Sequence, residues 1–325
     1  MKVGFLCPKG EFLDGIFEGL KQKLGGDTLV RLQPGESVPD AATEVLLAVG
    51  IVDRALMESL PRLGLIQTLS DGYEGVDLDA ATELGIRVSN APGDVTGNAD
   101  SVAEFTILLM LGAARRLNVA LASIHDSSIE KPGRGGSLIG SKVCIVGMGS
   151  IGSKIADRLI AFGAHVTGVD RSPLHAPKNV PTCTLDQLMK AVADVDFVVL
   201  AVRASNENIH LISADVIKAM KKGAILINIA RGSLVDERAL IEAVKSGQMG
   251  GAGLDVEEHE PIPVGDPLLT LPQIFITPHQ AGLTELNVRG TVAYVLHVLS
   301  SVQAGEPIAS QLNHPTAARL NSSQG

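Results

Sequence analysis

Residues 145–172, IVGMGSIGSKIADRLIAFGAHVTGVDRS, contain the pattern that decides the fold of this chain. Gly147, Gly149 and Gly152 form a GxGxxG turn, which by itself is a weak signal in a chain with 35 glycines. The context is more specific, because an apolar strand precedes the turn, a helical pattern follows it, and Asp170 ends the next strand. This order of elements predicts a strand–helix–strand unit that binds a dinucleotide.

Each position of the turn has a physical reason in that interpretation. Gly147 permits a tight turn, Gly149 lets a pyrophosphate approach the backbone, and Gly152 lets the helix pack close to the strand. The helix then begins at Ser150 and Ile151, where free amides and the positive end of the helix dipole favour phosphate groups. The less favoured alternative is a glycine-rich turn that holds no ligand.

The residues at the end of the second strand indicate which dinucleotide is bound. Asp170 is expected to accept hydrogen bonds from the adenosine ribose hydroxyls, and its charge would repel a 2′-phosphate. NAD is therefore expected, with NADP less favoured. Arg171 weakens this preference slightly, because an adjacent arginine can hold a 2′-phosphate.

Length and composition narrow the class of protein. The chain has 325 residues, 45% of them hydrophobic, which suggests about two domains. A net charge of -9 argues against a nucleic-acid partner. The longest apolar stretch, residues 105–114, is too short to cross a bilayer, so no membrane partner is expected. Cys7, Cys144 and Cys183 are widely spaced, which predicts reduced thiols in a cytoplasmic protein and no metal site.

Strand and helix patterns alternate through the first hundred residues and start again near Ser141. This pattern predicts an α/β chain with two Rossmann-like, doubly wound parallel-sheet domains, the cofactor domain being inserted into the substrate domain. The expected boundaries are 1–100 with 285–325 for a flavodoxin-like substrate domain, and 101–284 for the NAD-binding domain. A long helix is expected from about Asn98 to about Arg116, and residues 124–136 are expected to form a loop or an arm.

Three charged residues follow later strands of the second unit. Arg231 follows LINIA, Glu260 follows GLDVEEH, and His279 follows IFITP. Ligands of open α/β sheets bind outside the carboxyl ends of the strands, so the three side chains are expected to face one crevice. A guanidinium group can hold a carboxylate, a protonated imidazole can donate a proton to a carbonyl oxygen, and a glutamate can stabilise that imidazole. Each residue alone could be an ordinary surface or loop residue, but their joint placement favours catalysis.

Residues 226–261, LINIARGSLVDERALIEAVKSGQMGGAGLDVEEHEP, together with TPHQAG at 277–282, resemble the NAD-dependent D-2-hydroxyacid dehydrogenase family. Residues 85–111 resemble the interdomain crossing of that family, and the likeness covers nearly the whole chain. The resemblance implies that Arg231 binds the substrate, that Glu260 is the catalytic glutamate, and that His279 is the acid–base residue. It also implies that Asp255 contacts the nicotinamide carboxamide.

The resemblance implies further contacts. The loop LSDGYEGVD, residues 69–77, matches the segment whose amides hold the substrate carboxylate, and the family is usually a homodimer joined around the long helix and the arm. Departures from the family pattern include Asp71, where a small or apolar residue is common, Glu257, where an aromatic residue is common, and the arm, which lacks the tryptophan often found in it. The further expected cofactor contacts are Ala201, Val202, Ala230, Arg231, His279 and Gly282, and the expected substrate contacts are Ser70, Asp71, Gly72, Arg231 and His279.

The predicted reaction is a hydride transfer between NAD(H) and C2 of a small 2-keto or D-2-hydroxy acid. A formate dehydrogenase of the same family would carry Gln at position 260, where this chain has Glu260. A phosphite-oxidising relative and a non-enzymatic NAD-sensing protein of the same fold remain as alternatives.

Overall fold

The computed structural model describes residues 1–26, 28–32, 42–172 and 176–319. The chain forms two compact units: Met1–Asn98 with Leu283–Gly325, and Ala99–Gly282. The second unit is therefore an insertion in the sequence of the first. The predicted fold class, two doubly wound parallel-sheet domains with one inserted into the other, is confirmed.

The first unit is built on a parallel sheet with the strand order β2-β1-β3-β4-β5, which is the flavodoxin-like order. Its central strands are buried along their whole length, as expected for a parallel sheet covered on both faces. The strands are β1 (Val3–Leu6), β2 (Leu29–Leu32), β3 (Val45–Ala48), β4 (Leu65–Thr68) and β5 (Arg87–Ser89).

Aspartate caps begin two helices of the first unit, and a glycine allows two other helices to pack closely. The carboxylates of Asp53 and Asp77 accept hydrogen bonds from the amides of Leu56 and Ala80 and so cap two of the helices. In the first helix, a Cβ atom at Gly19 would lie 2.9 Å from the Val292 side chain, so the glycine allows close approach of the last helix. The helices are α1 (Glu11–Leu24), α2 (Arg54–Glu58), α3 (Leu78–Glu83), α4 (Gly93–Thr96) and α11 (Glu285–Ala304).

The second unit has a parallel sheet with the strand order β12-β11-β10-β9-β6-β7-β8. All its strands are parallel, and the direction in which successive strands are added to the sheet reverses between β8 and β9, which places the topological switch point of a Rossmann sheet beside the carboxyl end of β6. The strands are β6 (Lys142–Val146), β7 (His165–Val169), β8 (Thr182–Cys183), β9 (Phe197–Leu200), β10 (Ala224–Asn228), β11 (Met249–Leu254) and β12 (Ile274–Ile276). The helices are α5 (Asn98–Ala114), α6 (Leu117–His125), α7 (Ser150–Ala161), α8 (Leu188–Ala191), α9 (Ala214–Ala219) and α10 (Glu237–Lys245).

The long helix predicted from Asn98 to about Arg116 is shorter in the structure. It ends at Ala114, and Arg116 has a left-handed φ of 51°, after which α6 starts in a new direction. No single helix in the described part of the chain is long and apolar enough to cross a membrane, and α5 with α6 passes that test only as a pair bent by 65°.

Two of the three cysteines are buried free thiols. Burial raises the pKa of Cys7 and of Cys144 to about 12 in each case. Both thiols are therefore protonated at neutral pH, which argues against either as a nucleophile.

Candidate active site

The glycine turn between β6 and α7 has the shape that a dinucleotide needs. Gly147 has a φ of 97°, and a Cβ atom there would lie 2.6 Å from the backbone of Ala201 and Val202. A Cβ atom at Gly152 would lie 1.9 Å from the carbonyl oxygen of Gly147, so only glycine allows the helix to pack this close to the strand. A Cβ atom at Gly149 would meet nothing within 4 Å, which leaves open space in front of that backbone. The turn therefore fits a pyrophosphate group.

Asp170 at the end of β7 is tied to the same turn. One carboxylate oxygen accepts a hydrogen bond from the Met148 amide at 2.7 Å, and the other accepts one from the Ser172 amide at 2.8 Å. A carboxylate can accept about four hydrogen bonds, so Asp170 retains capacity for ribose hydroxyls. Arg171 beside it is exposed to solvent.

The turn after β10 presents Arg231. The buried side chain of Asn228 donates to the Arg231 carbonyl at 2.9 Å and accepts from the Ala230 amide at 3.1 Å, which fixes the turn. A Cβ atom at Gly232 would lie 1.9 Å from the backbone of Glu257, so the turn lies directly against the segment that follows β11. This packing brings the backbone of Arg231 close to the segment that ends in Glu260.

Asp255 organises the loop that follows β12. Its side chain is 1% exposed and accepts hydrogen bonds from the Thr277 hydroxyl at 2.7 Å and from the amides of Gln280 and Ala281 at 2.9 Å. Its own carbonyl accepts from the His279 amide at 2.9 Å. These bonds hold His279 at a φ of 49°, a conformation that costs free energy for a residue other than glycine.

His279 and Glu260 are in direct contact. The Nδ1 atom of His279 lies 2.6 Å from Oε2 of Glu260, and both side chains are partly exposed, by 51% and 34%. An ionised carboxylate accepts only, so Nδ1 carries a proton and donates it to this bond. The Nε2 atom is then the ring position that can exchange a proton with a ligand.

The segment between Asp255 and Glu260 carries a buried acidic group. Glu257 is 6% exposed, and its Oε1 atom has no hydrogen-bond partner among the described residues. Burial raises the pKa of Glu257 to about 7, with smaller contributions from the negative charges of Glu260, Glu237, Asp255 and Asp266. Glu257 therefore titrates near neutral pH rather than in acid.

The predicted substrate loop lies in the first unit, after β4. The side chain of Asp71 accepts a hydrogen bond from the Gly93 amide at 2.9 Å. This bond gives Asp71 a structural role in its own unit. A role for the amides of Ser70, Asp71 and Gly72 in substrate binding stays a prediction.

Several residues at the site were not identified from the sequence. Asn228 and Thr277 act by hydrogen bonds to the backbone of Arg231 and to the carboxylate of Asp255, and a polar residue inside an apolar strand pattern is the only signal for Asn228. The acidic sequence around Glu257 does not indicate that this side chain is buried. Within the described ranges, no group of three or more histidine, cysteine or acidic side chains could hold a metal ion.

Comparisons with known proteins agree with this geometry. The family of the D-isomer specific 2-hydroxyacid dehydrogenase, NAD binding domain, matches residues 107–281. A D-3-phosphoglycerate dehydrogenase of Methanocaldococcus jannaschii is 36% identical over 86% of this chain and 53% of its own length. A glyoxylate reductase of Korarchaeum cryptofilum is 33% identical over 83% of this chain and 82% of its own.

A solved structure has the same fold. The NADPH-dependent glyoxylate/hydroxypyruvate reductase of Sinorhizobium meliloti, in complex with NADP and malonate, has a TM-score of 0.79 and 27% identity, with 96% of each chain covered. The present chain thus spans most of the length of the reductases but about half that of the phosphoglycerate dehydrogenase.

The glycine turn yields a paired prediction. Gly149→Ala places a methyl group in open space at an ordinary backbone conformation, so the free energy of unfolding should change by less than about 0.5 kcal/mol. The methyl group would lie where the pyrophosphate approaches the backbone, so the Kd for NADH should rise at least about tenfold. Gly152→Ala forces a clash with Gly147 and should lower the free energy of unfolding by about 1–3 kcal/mol. Urea unfolding and NADH fluorescence titration measure both. A loss of stability in Gly149→Ala equal to that in Gly152→Ala would contradict the assignment.

The buried carboxyl group yields a pH prediction. Because the pKa of Glu257 is about 7 in the folded chain and 4.5 ordinarily, the folded state binds this proton more tightly than the unfolded state. Relative to Glu257→Gln, the wild type is most stable below about pH 4.5 and loses that advantage as the pH rises through about 7. Urea unfolding of both proteins at several pH values measures the difference, with the exposed Glu242→Gln as control. Parallel curves for wild type and Glu257→Gln would show that Glu257 titrates normally.

Proposed function

The chain belongs to the D-isomer specific 2-hydroxyacid dehydrogenase family, and on that basis we propose that it interconverts a small 2-keto acid and the D-2-hydroxy acid with a nicotinamide cofactor. The observation that carries the proposal is the contact of 2.6 Å between His279 and Glu260 in the unit that also contains the glycine turn. A histidine held by a carboxylate, with its second ring nitrogen free, is suited to proton transfer at a carbonyl oxygen.

The cofactor would be held by the residues of the glycine turn. The open backbone at Gly149 and the amides at the start of α7 would bind the phosphates, and Asp170 would bind the ribose. When bound, the nicotinamide dinucleotide supplies or accepts the hydride. We propose NAD as the preferred form because the carboxylate of Asp170 would repel a 2′-phosphate; the Sinorhizobium meliloti relative is NADPH-dependent, so the preference needs a direct test.

In the direction of reduction, the proton comes from His279. Its Nε2 atom donates to the carbonyl oxygen of the substrate while Nδ1 remains bonded to Glu260, whose negative charge stabilises the protonated ring. In the direction of oxidation the same nitrogen accepts the hydroxyl proton. The hydrogen bonds from the 277–281 loop to Asp255 keep the ring in place during both steps.

Arg231 is the proposed ligand of the substrate carboxylate. Its guanidinium group has several donors in a fixed plane, which match a carboxylate better than the single ammonium group of lysine does. The backbone that carries it is fixed by Asn228 and by the close packing of Gly232 on Glu257. The relatives are named for glyoxylate, a 2-keto acid, and for D-3-phosphoglycerate, a D-2-hydroxy acid. Small acids of these two kinds are therefore the proposed substrates.

We also propose that the chain forms a homodimer through α6. This helix contains mostly apolar residues, yet none of its residues is buried within the chain, and Leu121 and Ile124 are 52% and 75% exposed. Exposed apolar patches of this kind mark protein interfaces. Leu121→Asp combined with Ile124→Asp should convert a dimer to a monomer in light scattering; a wild type that is already monomeric would contradict the proposal.

The test of the proposed reaction is a substrate panel. NADH or NADPH oxidation is followed with glyoxylate, hydroxypyruvate and pyruvate, and reduction of the oxidised cofactors is followed with D-3-phosphoglycerate and phosphite. We expect turnover with at least one 2-keto acid, and a higher kcat/KM with NADH than with NADPH. Turnover of phosphite alone would favour the phosphite-oxidising alternative. Binding of NADH without any turnover would favour an NAD-sensing protein.

The role of His279 is tested by substitution. His279→Gln removes the proton donor, so kcat for keto-acid reduction should fall about 10²–10⁴-fold while the Kd for NADH changes little. His165→Gln is the matched control, because His165 is an exposed residue at the opposite end of strand β7. Full activity in His279→Gln would remove His279 from the mechanism.

A further inference from the structure

The buried carboxyl group of Glu257 lies in the segment that carries the proposed catalytic glutamate. Its side chain is 6% exposed, and its Oε1 atom has no hydrogen-bond partner among the described residues. A buried polar atom without a partner costs free energy, so it needs a reason to be there.

The charges that raise the pKa of Glu257 all belong to acidic groups of the second unit. Asp255, Glu260 and Asp266 lie on the same segment between β11 and β12, and Glu237 lies at the start of α10. Of these charges, Glu260 contributes most to holding the proton on Glu257. Electrostatic coupling between two groups is reciprocal, so an ionised Glu257 must act equally on the charge of Glu260.

Glu260 passes this influence on to His279. The two side chains are joined by a hydrogen bond of 2.6 Å. An additional negative charge beside Glu260 favours the state in which His279 keeps its second proton over the state in which it has lost it. The backbone of Glu257 also packs on Gly232, next to Arg231, so the buried group has a fixed place in the site.

We propose that Glu257 is a positioning residue for proton transfer: its buried carboxyl group, when ionised, acts through Glu260 to keep His279 protonated to higher pH. The group is neutral in mildly acidic solution and becomes charged as the pH rises through about 7. Its negative charge then widens the pH range in which the proton donor is available. The effect on activity rests on the proposed function, whereas the effect on the titration of His279 does not.

The experiment compares wild type with Glu257→Gln, which keeps the size and polarity of the side chain but cannot ionise. Glu257→Asp restores the charge, and Glu242→Gln is a matched control that removes one negative charge from the exposed face of α10. Protonation of Nε2 of His279 is followed by ¹⁵N NMR on the full chain without cofactor, and the signal is assigned with His279→Gln. The pH profile of kcat/KM for keto-acid reduction is measured on the same proteins.

We expect the titration midpoint of His279 to fall by about 0.5 pH unit or more in Glu257→Gln, to return toward the wild-type value in Glu257→Asp, and to stay unchanged in Glu242→Gln. The alkaline limb of kcat/KM should move by the same amount. A purely structural role for Glu257 would lower activity at every pH without moving the midpoint. Coincident midpoints in wild type and a folded Glu257→Gln protein would overturn the proposal.

Two further outcomes are informative. If Glu257→Gln does not fold, the wild type alone decides the question, because the ¹⁵N signal of His279 should show a second inflection as Glu257 ionises near pH 7, and a single-step curve would overturn the coupling. If no 2-keto acid is turned over, the proposed function fails while the NMR titration still tests the coupling. The two failures are therefore distinguishable.

Discussion

The site depends on one buried carboxylate. Asp255 receives hydrogen bonds from the side chain of Thr277 and from the amides of Gln280 and Ala281, and its carbonyl receives a fourth from His279. A loop residue with a φ of 49° would not hold this conformation without such bonds. The expected contact of Asp255 with a nicotinamide carboxamide is compatible with this role, because a carboxylate has more acceptor positions than these bonds use.

In the second unit, the residues proposed for cofactor binding and catalysis follow the carboxyl ends of the strands of the parallel sheet. The glycine turn follows β6, Arg231 follows β10, Glu260 follows β11 and His279 follows β12. Several acidic groups lie close together on this side of the sheet, because Glu237, Asp255, Glu260 and Asp266 all act on the charge of Glu257. A positively charged imidazole is stabilised in such surroundings, and the proposed proton donor is therefore matched to its environment.

The features of the structure that could be predicted from the sequence are those with a local pattern. The sheets followed from apolar runs separated by helical patterns, and the glycine turn followed from three glycines whose missing Cβ atoms the packing requires. Glu260 and His279 were also predicted from the sequence as catalytic residues. The structure places their side chains in contact, and their catalytic role stays a prediction. The short strands β5 and β8 could not be predicted in this way, because two or three residues show no periodicity. The break at Arg116, the bond from Gly93 to Asp71 and the burial of Glu257 depend on tertiary packing, which leaves no local pattern.

The most direct measurement is the protonation state of the two ring nitrogens of His279, by ¹⁵N NMR across the pH range in which the protein is folded. If Glu260 holds the ring as a proton donor, Nδ1 remains protonated throughout, and Nε2 gains or loses its proton in parallel with the rate of keto-acid reduction. A neutral ring that carries its proton on Nε2, with Nδ1 bare, would contradict this central claim.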